Sequence, residues 1–543
     1  MHIEKIKIKN YKCFGATFET CLNEGVNIIV GNNEVGKSTI LEAINIALSG
    51  MLNGRYLRNE LSSYLFNKKA EDDYLAGIKN NRPDAPPEIL IELFLSGNDK
   101  ELAELEGDGN SEKRKASGVA YKIYFDDGGG GEYPELLKEN NILSIPIEYY
   151  KTSWQSFARK EITSRSIPLK SAVIDASQHR YQNGSDVFIS RIIREGLDDK
   201  ERVSISQAHR LMRDSFKDND SIKALNEKIQ KASKISNKTI HISVDLATQH
   251  AWEQSLMTYI DSIPFHHIGK GEQCIIKTKL ALSNKRASEA TVLLIEEPEN
   301  HLSHARLNHL ISDIEEGNVG KQIIVTTHSS YVANKLGLDN LLLLRNQKTV
   351  RINELKGNNF FRRLAGYDTL RLVLAKKCVL VEGDSDELVV QRAYMQTHKG
   401  KLPIDDEIDV ISVGTSFLRF LEIAHKLGIA VSAVTDNDGD VDAVVRKYKE
   451  YEKAEGITIC YDAKVDAGNL VIGKNPYNYN TLEPKLLKEN GRARLNEVFN
   501  TSYDNDDDLR KYMKSNKTEC ALAIFGSKET IAIPDYIKKA VAI

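Results

Sequence analysis

The chain has 543 residues, of which 41% are hydrophobic, and its formal net charge is −3. This length allows about two to four domains of ordinary size. The near-neutral charge gives no whole-molecule sign of nucleic-acid binding, although it does not exclude a local basic groove. No apolar run reaches the roughly 20 residues that span a bilayer, and the chain starts without a signal-peptide pattern. The six cysteines are scattered, so we expect a cytoplasmic protein without a zinc site or a disulfide framework.

Strands dominate the first part of the chain. Alternating or continuously apolar segments, bounded by turn residues, predict strands at 2–9, 26–30, 88–95, 121–125 and 144–150. Apolar spacing predicts a helix over 38–49. Residues 186–235 are polar with a helical period, which predicts a helical insertion.

The segment GNNEVGKST (31–39) lies between the predicted strand 26–30 and the predicted helix 38–49. It matches the phosphate-binding loop GxxxxGK[ST] in the context that this motif requires. Backbone N–H groups of such a loop surround phosphate oxygens. We expect Lys37 to reach the β- and γ-phosphates of ATP and Ser38 to ligate Mg²⁺. Asn32, Gly36 and Thr39 complete the expected nucleotide contacts.

Two later apolar strands also end in chemically active residues. TVLLIEE (291–297) presents Glu296, expected to hold Mg²⁺, and Glu297, expected to orient the attacking water. KQIIVTTH (321–328) presents His328, which we expect to contact the γ-phosphate.

HIGKGEQ (267–273) precedes an apolar helical run and resembles the signature motif of ABC-type ATPases. In that family the motif, here represented by Gly271 and Gln273, contacts the γ-phosphate held by the opposite protomer. The order of the four motifs resembles an ATPase head of the SMC type. The resemblance implies at least a homodimer, with the helical insertion as a dimerisation arm in place of a long coiled coil.

Carboxylates cluster at two strand ends of a second α/β unit. VLVEGDSDE places Glu382 at a strand end and Asp386 at the start of the next helix; AVTDNDGD places Asp436 and Asp438 after a later strand. Parallel strands present their carboxyl ends at one edge of a sheet, so we expect the four acids to converge. Such a cluster needs divalent cations, and oxygen ligands favour Mg²⁺ or Mn²⁺. An EF-hand loop does not fit, because Gly439 stands at the fourth position; a solvated acidic turn without metal stays open.

The strand-terminal Glu-Gly followed by Asp-x-Asp resembles the Toprim fold of topoisomerases, primases and related nucleases. An ABC head followed by Toprim resembles the OLD (overcoming lysogenization defect) family of ATP-dependent nucleases. The resemblance implies two-metal DNA cleavage or nicking in anti-phage defence, with Glu382 and Asp386 in one metal shell and Asp436 and Asp438 in the other. It also implies Glu483 as a further ligand and Lys517 as a cation that stabilises the transition-state phosphate.

The expected fold class is α/β, an SMC/ABC-type ATPase head with a helical dimerisation insertion followed by a C-terminal Toprim domain. The expected boundaries are 1–185 and 241–358 for the ATPase, 186–240 for the insertion, 359–377 for a connector and 378–543 for the Toprim domain.

The expected function is ATP-regulated, metal-dependent DNA cleavage by a homodimer or tetramer with ATP and Mg²⁺ or Mn²⁺. The family leaves open whether a helicase or a retron reverse transcriptase with its nucleic acid is a partner. An ATP-driven DNA sensor or clamp, whose Toprim domain binds a partner, is the alternative. A primase or topoisomerase is less favoured, because no nucleophilic-tyrosine or polymerase module is recognisable.

Overall fold

The computed structural model describes residues 1–542 except 54, 81–84, 98–99, 129–131, 140–141, 176–180, 183–184, 187–188, 190–196, 233–257, 284–287, 319, 330–331, 333–339 and 352–365. The chain divides into two compact units, Met1–Asn27 with Ser38–Thr327, and Ile28–Lys37 with His328–Ile543. Within the described residues, every helix is too short or too polar to cross a membrane.

The longer strands are β1 (His2–Lys9), β2 (Phe18–Cys21), β3 (Val26–Val30), β4 (Ile89–Ser96), β5 (Ala116–Phe125), β6 (Tyr150–Ser156), β7 (Ser171–Asp175), β8 (Val292–Glu296), β9 (Gln322–Thr327), β10 (Leu341–Arg345), β11 (Lys348–Arg351), β12 (Lys377–Val381), β13 (Ile408–Ser412), β14 (Ala430–Val434) and β15 (Ile457–Cys460). The longer helices are α1 (Lys37–Ser49), α2 (Lys68–Lys79), α3 (Glu132–Glu139), α4 (Asp199–Asp218), α5 (Asp220–Ala232), α6 (Lys270–Ser283), α7 (His304–Gly317), α8 (Gly366–Leu374), α9 (Asp384–Thr397), α10 (Phe417–Leu427), α11 (Val441–Tyr448), α12 (Leu482–Phe499), α13 (Asp506–Ser515), α14 (Lys517–Gly526) and α15 (Asp535–Val541).

An antiparallel sheet forms one layer of the first unit. Its central order is β2–β1–β4–β5, and β6 also pairs with β5. The predicted strand at 144–150 is wrong, because Pro146 precedes a 3₁₀ turn over Ile147–Tyr149 and the pairing with β5 begins only at Tyr150. The strand predicted at 121–125 is longer and begins at Ala116.

A parallel run in the same unit carries the second ATPase motif. β7, β8 and β9 lie side by side, and their register aligns Asp175 with Glu296 and Glu296 with Thr326. Because such strands are covered on both faces, they are continuously apolar, which made β8 and β9 recognisable in the sequence. The register places the acidic end of β8 beside the acidic end of β7.

The second unit contains the loop after β3 and the Toprim sheet. Residues Ile28–Val30 of β3 pair in parallel with β10, which pairs antiparallel with β11. The Toprim sheet has the order β13–β12–β14–β15, and all its strands are parallel. Its core joins Val379 and Val381 of β12 to apolar residues of α9, α12 and α14. The sheet therefore presents the residues after β12 and β14 at one edge.

Two helices, α4 and α5, occupy the described part of the predicted insertion 186–240. A capping box between Asp198 and Glu201 starts α4. Among their described side chains none is buried, and several apolar ones are exposed, including Leu211 and Met212. Residues 233–240 of the insertion and 359–365 of the predicted connector lie outside the described residues.

Candidate functional site

The phosphate-binding loop joins β3 to α1 through a turn that requires glycine. Gly36 has φ of 105°, a conformation that residues with a Cβ rarely adopt. Lys37 is 5% exposed, and its ammonium donates to the carbonyl oxygens of Gly31 (2.8 Å) and Asn32 (3.0 Å). Lys37 thus points along the loop, where phosphate oxygens of a nucleotide would lie.

The side chains next to Lys37 have other partners as well. The Asn32 amide donates to the carbonyl oxygen of Leu374, the last residue of α8. Thr39 is buried, and its hydroxyl accepts from the Cys13 thiol at 3.7 Å. Asn32, expected to contact nucleotide, therefore also contacts the helix that precedes the Toprim sheet.

Ser38 and the acidic end of β8 meet within the first unit. The Ser38 hydroxyl donates to the Glu296 carboxylate, so the two predicted Mg²⁺ ligands lie next to each other. Burial raises the pKa of Glu296, and Asp175, Glu42 and Glu297 raise it further, while Ser38 opposes the shift. This is a partly buried acid among like charges, a setting that a divalent cation relieves.

Glu297 lies in the turn after β8 with φ of 39°, and its backbone N–H donates to Thr326 O at 2.9 Å. Its carboxylate accepts from the Asn300 amide at 3.2 Å. Asp175 was not identified from the sequence. The signal was present, because SAVID is an apolar strand that ends in an acid, as β8 does.

The signature-like segment starts α6. Gly271 lies against the backbone of the turn after β8, where an added Cβ would be 2.4 Å from His301 O, so a side chain there would clash. Gln273 is buried, and its amide donates to Ile268 O at 2.9 Å. The structure thus gives both residues a role in shaping this loop, and their contact with a partner's nucleotide stays a prediction.

His328 follows β9 and is exposed. It lines a cavity of about 750 Å³ together with Asn32, Asn33 and Val35 of the phosphate-binding loop. The second unit thus brings the predicted γ-phosphate contact and the phosphate-binding loop to one cavity.

The four predicted acids follow two strands of the Toprim sheet. Glu382 follows β12 and is exposed, and Asp386 lies in the first turn of α9, where its carboxylate accepts from the Gly383 N–H at 3.0 Å. Asp436 follows β14 and is partly buried. Asp438 is exposed with φ of 48°, and it accepts from the Asn478 amide at 2.8 Å.

Electrostatics shows that these acids act on one another. Burial raises the pKa of Asp436 to about 8, and Asp386, Glu382, Glu483 and Asp438 add to the shift. Burial also raises the pKa of Asp386 to about 6; the Gly383 N–H opposes this, while Glu483 and Glu382 add to it. The acids that follow β12 and β14 are therefore close enough to influence one another, while their joint binding of a cation stays a prediction.

Glu483 and Lys517 complete the cluster. Glu483 lies in the first turn of α12, is 6% exposed and accepts from the Thr481 hydroxyl at 3.2 Å. Lys517, the first residue of α14, places its ammonium 3.0 Å from the Glu483 carboxylate. The Lys517 ammonium also interacts electrostatically with Asp386 and Asp436.

The donor set suits a hard divalent cation. All the predicted ligands are carboxylates, and burial together with the neighbouring carboxylates raises the pKa of Asp386 and of Asp436. As placed, no three His, Cys, Asp or Glu side chains of the described residues close around one point.

Two family models match the chain. The model described as "AAA domain, putative AbiEii toxin, Type IV TA system" matches residues 26–334. The model described as "Overcoming lysogenization defect protein-like, TOPRIM domain" matches residues 373–438. The expected order of an ATPase followed by a Toprim domain is thus confirmed.

Similarity to individual proteins is local or distant. The DNA double-strand break repair Rad50 ATPase of Methanopyrus kandleri is 48% identical over 46 residues, which are 8% of this chain and 5% of that protein. This match thus spans far less than two thirds of that relative.

The solved structures include an SMC head bound to the C-winged helix domain of ScpA (16% identity, 64% of this chain, 98% of that chain, TM-score 0.35). They also include the SMC head of Thermotoga maritima (14% identity, 62% of this chain, 92% of that chain, TM-score 0.28). A third is the C-terminal region of the Xanthomonas campestris pv. campestris OLD protein (22% identity, 31% of this chain, 91% of that chain, TM-score 0.22). The first family model covers more than half of the chain. The chain therefore belongs to this family of AAA-domain ATPases, and an OLD-type Toprim domain follows its ATPase domain.

Proposed function

We propose that the chain is an ATP-regulated, divalent-metal-dependent DNA endonuclease. The observation that carries this proposal is the mutual coupling of Glu382, Asp386, Asp436 and Glu483 at one edge of the Toprim sheet, with Lys517 beside them. A domain that only binds a partner does not need acids from two strand ends close enough to add to the raised pKa of Asp386 and Asp436.

In this proposal, Glu382, Asp386, Asp436, Asp438 and Glu483 hold Mg²⁺ or Mn²⁺. When bound, such ions activate water and neutralise charge on a phosphodiester. Lys517 supplies a cation for the phosphate that is cleaved, and the buried Glu483 orients its ammonium. The acids and the lysine divide the work, since carboxylates bind the cations and the ammonium binds the anionic substrate.

The ATPase part controls this site in the proposal. Lys37 and the loop residues Asn32, Gly36 and Thr39 bind the phosphates, and Ser38 and Glu296 hold Mg²⁺. Glu297 orients the attacking water, and His328 contacts the γ-phosphate. Gly271 and Gln273 complete the nucleotide site of a second copy, so the active form is at least a homodimer.

The proposed setting is defence against phage. The matched family descriptions name a toxin–antitoxin system and the overcoming-lysogenization-defect proteins, and both fit a nuclease that is restrained until it is needed. The proposed partner is a helicase or a retron reverse transcriptase with its nucleic acid. The proposed assembly is a homodimer or a tetramer.

Nicking of supercoiled plasmid tests the proposal. The protein is incubated with Mg²⁺ or Mn²⁺, with and without ATP, and compared with Glu382→Ala, Asp436→Ala and Lys37→Ala. We expect the first two variants to lose nicking by about 100-fold or more, because they remove cation ligands. Lys37→Ala should lose ATP hydrolysis and the effect of ATP on nicking.

Asp440→Asn is the matched control. Asp440 is an exposed acid in the same loop as Asp436, but it caps α11 by accepting from the Ala443 N–H at 2.8 Å, a bond that Asn also makes. It should nick like the wild type. If wild type and Glu382→Ala both leave DNA intact under every nucleotide condition, the nuclease proposal fails. ATP-dependent retention of DNA without cleavage would then favour the clamp.

A further inference from the structure

A buried lysine outside the acid cluster, Lys485, binds three residues of the neighbouring loop 462–466. The side chain of Lys485, in the first turns of α12, is 4% exposed, and its ammonium lies 2.6 Å from the Asp462 carboxylate and 2.7 Å from the Asp466 carboxylate. It also donates to Lys464 O at 3.0 Å. All three partners belong to one five-residue stretch, 462–466, so this stretch folds around the Lys485 ammonium.

The same stretch holds the loop that bears Asp436 and Asp438. Asn437 lies between these acids and is 2% exposed. Its amide donates to Asp462 O at 2.5 Å and to Lys464 O at 3.0 Å. Its own carbonyl oxygen on the side chain accepts from the Gly439 N–H at 3.0 Å, which fixes the turn. The backbone of 462–466 thus sets where the acidic loop lies.

A second chain of hydrogen bonds reaches Asp438 from the same stretch. The Asp466 N–H donates to the Asn480 side chain at 2.7 Å, and the Asn480 amide donates to Asp466 O at 2.9 Å. The Asn480 N–H donates to the Asn478 side chain at 2.9 Å, and the Asn478 amide donates to Asp438 at 2.8 Å. The loop with Asp436 and Asp438 is therefore connected by hydrogen bonds to the stretch 462–466, which Lys485 binds.

We propose that Lys485 is a positioning residue for cation binding: through 462–466 and Asn437 it holds Asp436 and Asp438 where both can ligate a divalent ion. The inference rests on the proposed metal-dependent function, and it assigns Lys485 no contact with substrate or ion. Burial would raise the pKa of Asp462 and Asp466, but Lys485 outweighs it at Asp462 and Lys485 with Lys488 outweighs it at Asp466, so both pKa values lie below their usual range. The two carboxylates thus face lysines, and Asn437 of the acidic loop meets backbone carbonyls of this stretch.

Helix α12 carries both Glu483 and Lys485. Glu483 and Lys485 are two positions apart and so point in different directions. Glu483 points to Lys517 and the acids, and Lys485 points to 462–466. One helical turn thus supplies a candidate ligand and the support for two others, as outer partners commonly do at metal sites.

Binding of Mn²⁺ to the 543-residue chain without nucleotide, measured by the loss of the free-ion EPR signal, tests the inference independently of cleavage. Asp436→Asn defines the fraction of Mn²⁺ bound at the Toprim site. We expect Lys485→Met to weaken this fraction by about 10-fold or more, the usual effect of removing an outer partner. Lys485→Arg, which keeps the charge, should recover most of the affinity.

Lys488→Met is the matched control. Lys488 pairs with the same Asp466 carboxylate at 2.6 Å, but its side chain is 50% exposed, and among the residues that the structure describes its ammonium hydrogen-bonds neither Asp462 nor Lys464 O. It should bind Mn²⁺ like the wild type. Asn437→Ser cuts the same link without leaving a buried charge unpaired, so it decides the question if Lys485→Met does not fold; it should also weaken binding.

The outcomes separate the two proposals. Wild-type Mn²⁺ affinity in Asn437→Ser, or in a folded Lys485→Met, overturns the positioning role. If Asp436→Asn itself binds Mn²⁺ like the wild type, the proposed metal site fails instead. Weak binding in Lys485→Met and Asn437→Ser, with normal binding in Lys488→Met, supports the inference even if no DNA is cut.

Discussion

Lys517 and Glu483 form an ion pair whose two ends lie in different surroundings. The Glu483 side chain is 7% exposed, whereas that of Lys517 is 51% exposed. Burial would lower the pKa of Lys517, but Glu483, Asp386 and Asp436 outweigh it and the pKa is raised. Lys517 is therefore a permanent cation at neutral pH. Its role in the proposed reaction is to bind charge rather than to transfer a proton.

Lys517→Met should reduce plasmid nicking by about 100-fold or more, the usual effect of removing one group that stabilises transition-state charge. Mn²⁺ binding should persist, because an ammonium ligates no cation. Measured together, initial nicking rates and Mn²⁺ affinity separate the two effects. Lys511→Met is the control, since Lys511 forms an exposed ion pair with Asp508 one helix earlier. Full nicking by Lys517→Met would reduce Lys517 to a structural partner of Glu483.

Strand-end acids were predictable at this scale, and their supports were not. Glu382 and Asp436 follow apolar runs directly, so local sequence fixes their place at the sheet edge. Lys485 contacts Asp462, 23 positions earlier, through loops whose path depends on tertiary packing. Asn437 has no distinguishing signal in the sequence, although its amide holds the turn by donating to Asp462 O and Lys464 O.

At the scale of elements, β1 is joined to the loop before β5 by a charged cluster. Glu112 accepts from Lys5 and from Lys7 (3.1 Å) of β1 and from Arg114 (2.6 Å). The hydrogen bond from Lys5 is the main cause that lowers the pKa of Glu112 to about 2, from an ordinary value of 4.5. The folded state thus favours the charged form, and this contribution to stability is present above pH 4.5 and is lost as the pH falls toward 2.

Glu112→Gln should therefore lower the melting temperature of the ATPase part at pH 7 by about 2 °C or more, and the difference from the wild type should shrink by pH 3. Thermal unfolding at both pH values checks this. Glu106→Gln is the control, because its partner Lys115 is 80% exposed and such surface pairs contribute little. A difference from the wild type that is equal at both pH values would contradict the assignment.

Elements were predictable where burial on both faces gives a continuous apolar run. β3, β8 and β9 were placed within about two residues, in line with ordinary boundary uncertainty, and β12 and β14 end just before the predicted Glu382 and Asp436. The segment 144–150 failed because an apolar pair beside Pro146 suggested a strand, while the actual strand β6 is polar and is defined by its pairing with β5. That pairing is long-range and leaves little trace in local sequence.

At the scale of the whole molecule, the chain carries an ATPase and a candidate metal site that use different residues. The order of motifs predicted this arrangement, and the family matches to 26–334 and 373–438 agree with it. Lys37→Ala should abolish ATP hydrolysis while Mn²⁺ binding at the Toprim site persists. Asp436→Asn should show the reverse. Hydrolysis assays and EPR titrations on both variants check the separation, and loss of both properties in either variant would contradict it.

Assembly is the property that joins the two parts in the proposed function. If Gly271 and Gln273 complete the nucleotide site of a second copy, ATP binding must bring two ATPase heads together, and hydrolysis must release them. Glu297→Gln should retain ATP, because it removes the carboxylate that polarises the attacking water while keeping a side chain that accepts from Asn300.

We therefore expect ATP to raise the molar mass of Glu297→Gln by at least one further copy, measured by light scattering on an eluting sample at fixed concentration. The control is Lys37→Ala combined with Glu297→Gln, which cannot hold the phosphates and should keep its nucleotide-free mass. The comparison is between the masses with and without ATP, so an assembly that already exists through another surface does not obscure it. An identical ATP response in both variants, or bound ATP with no change in assembly, would mean that the heads do not share a nucleotide.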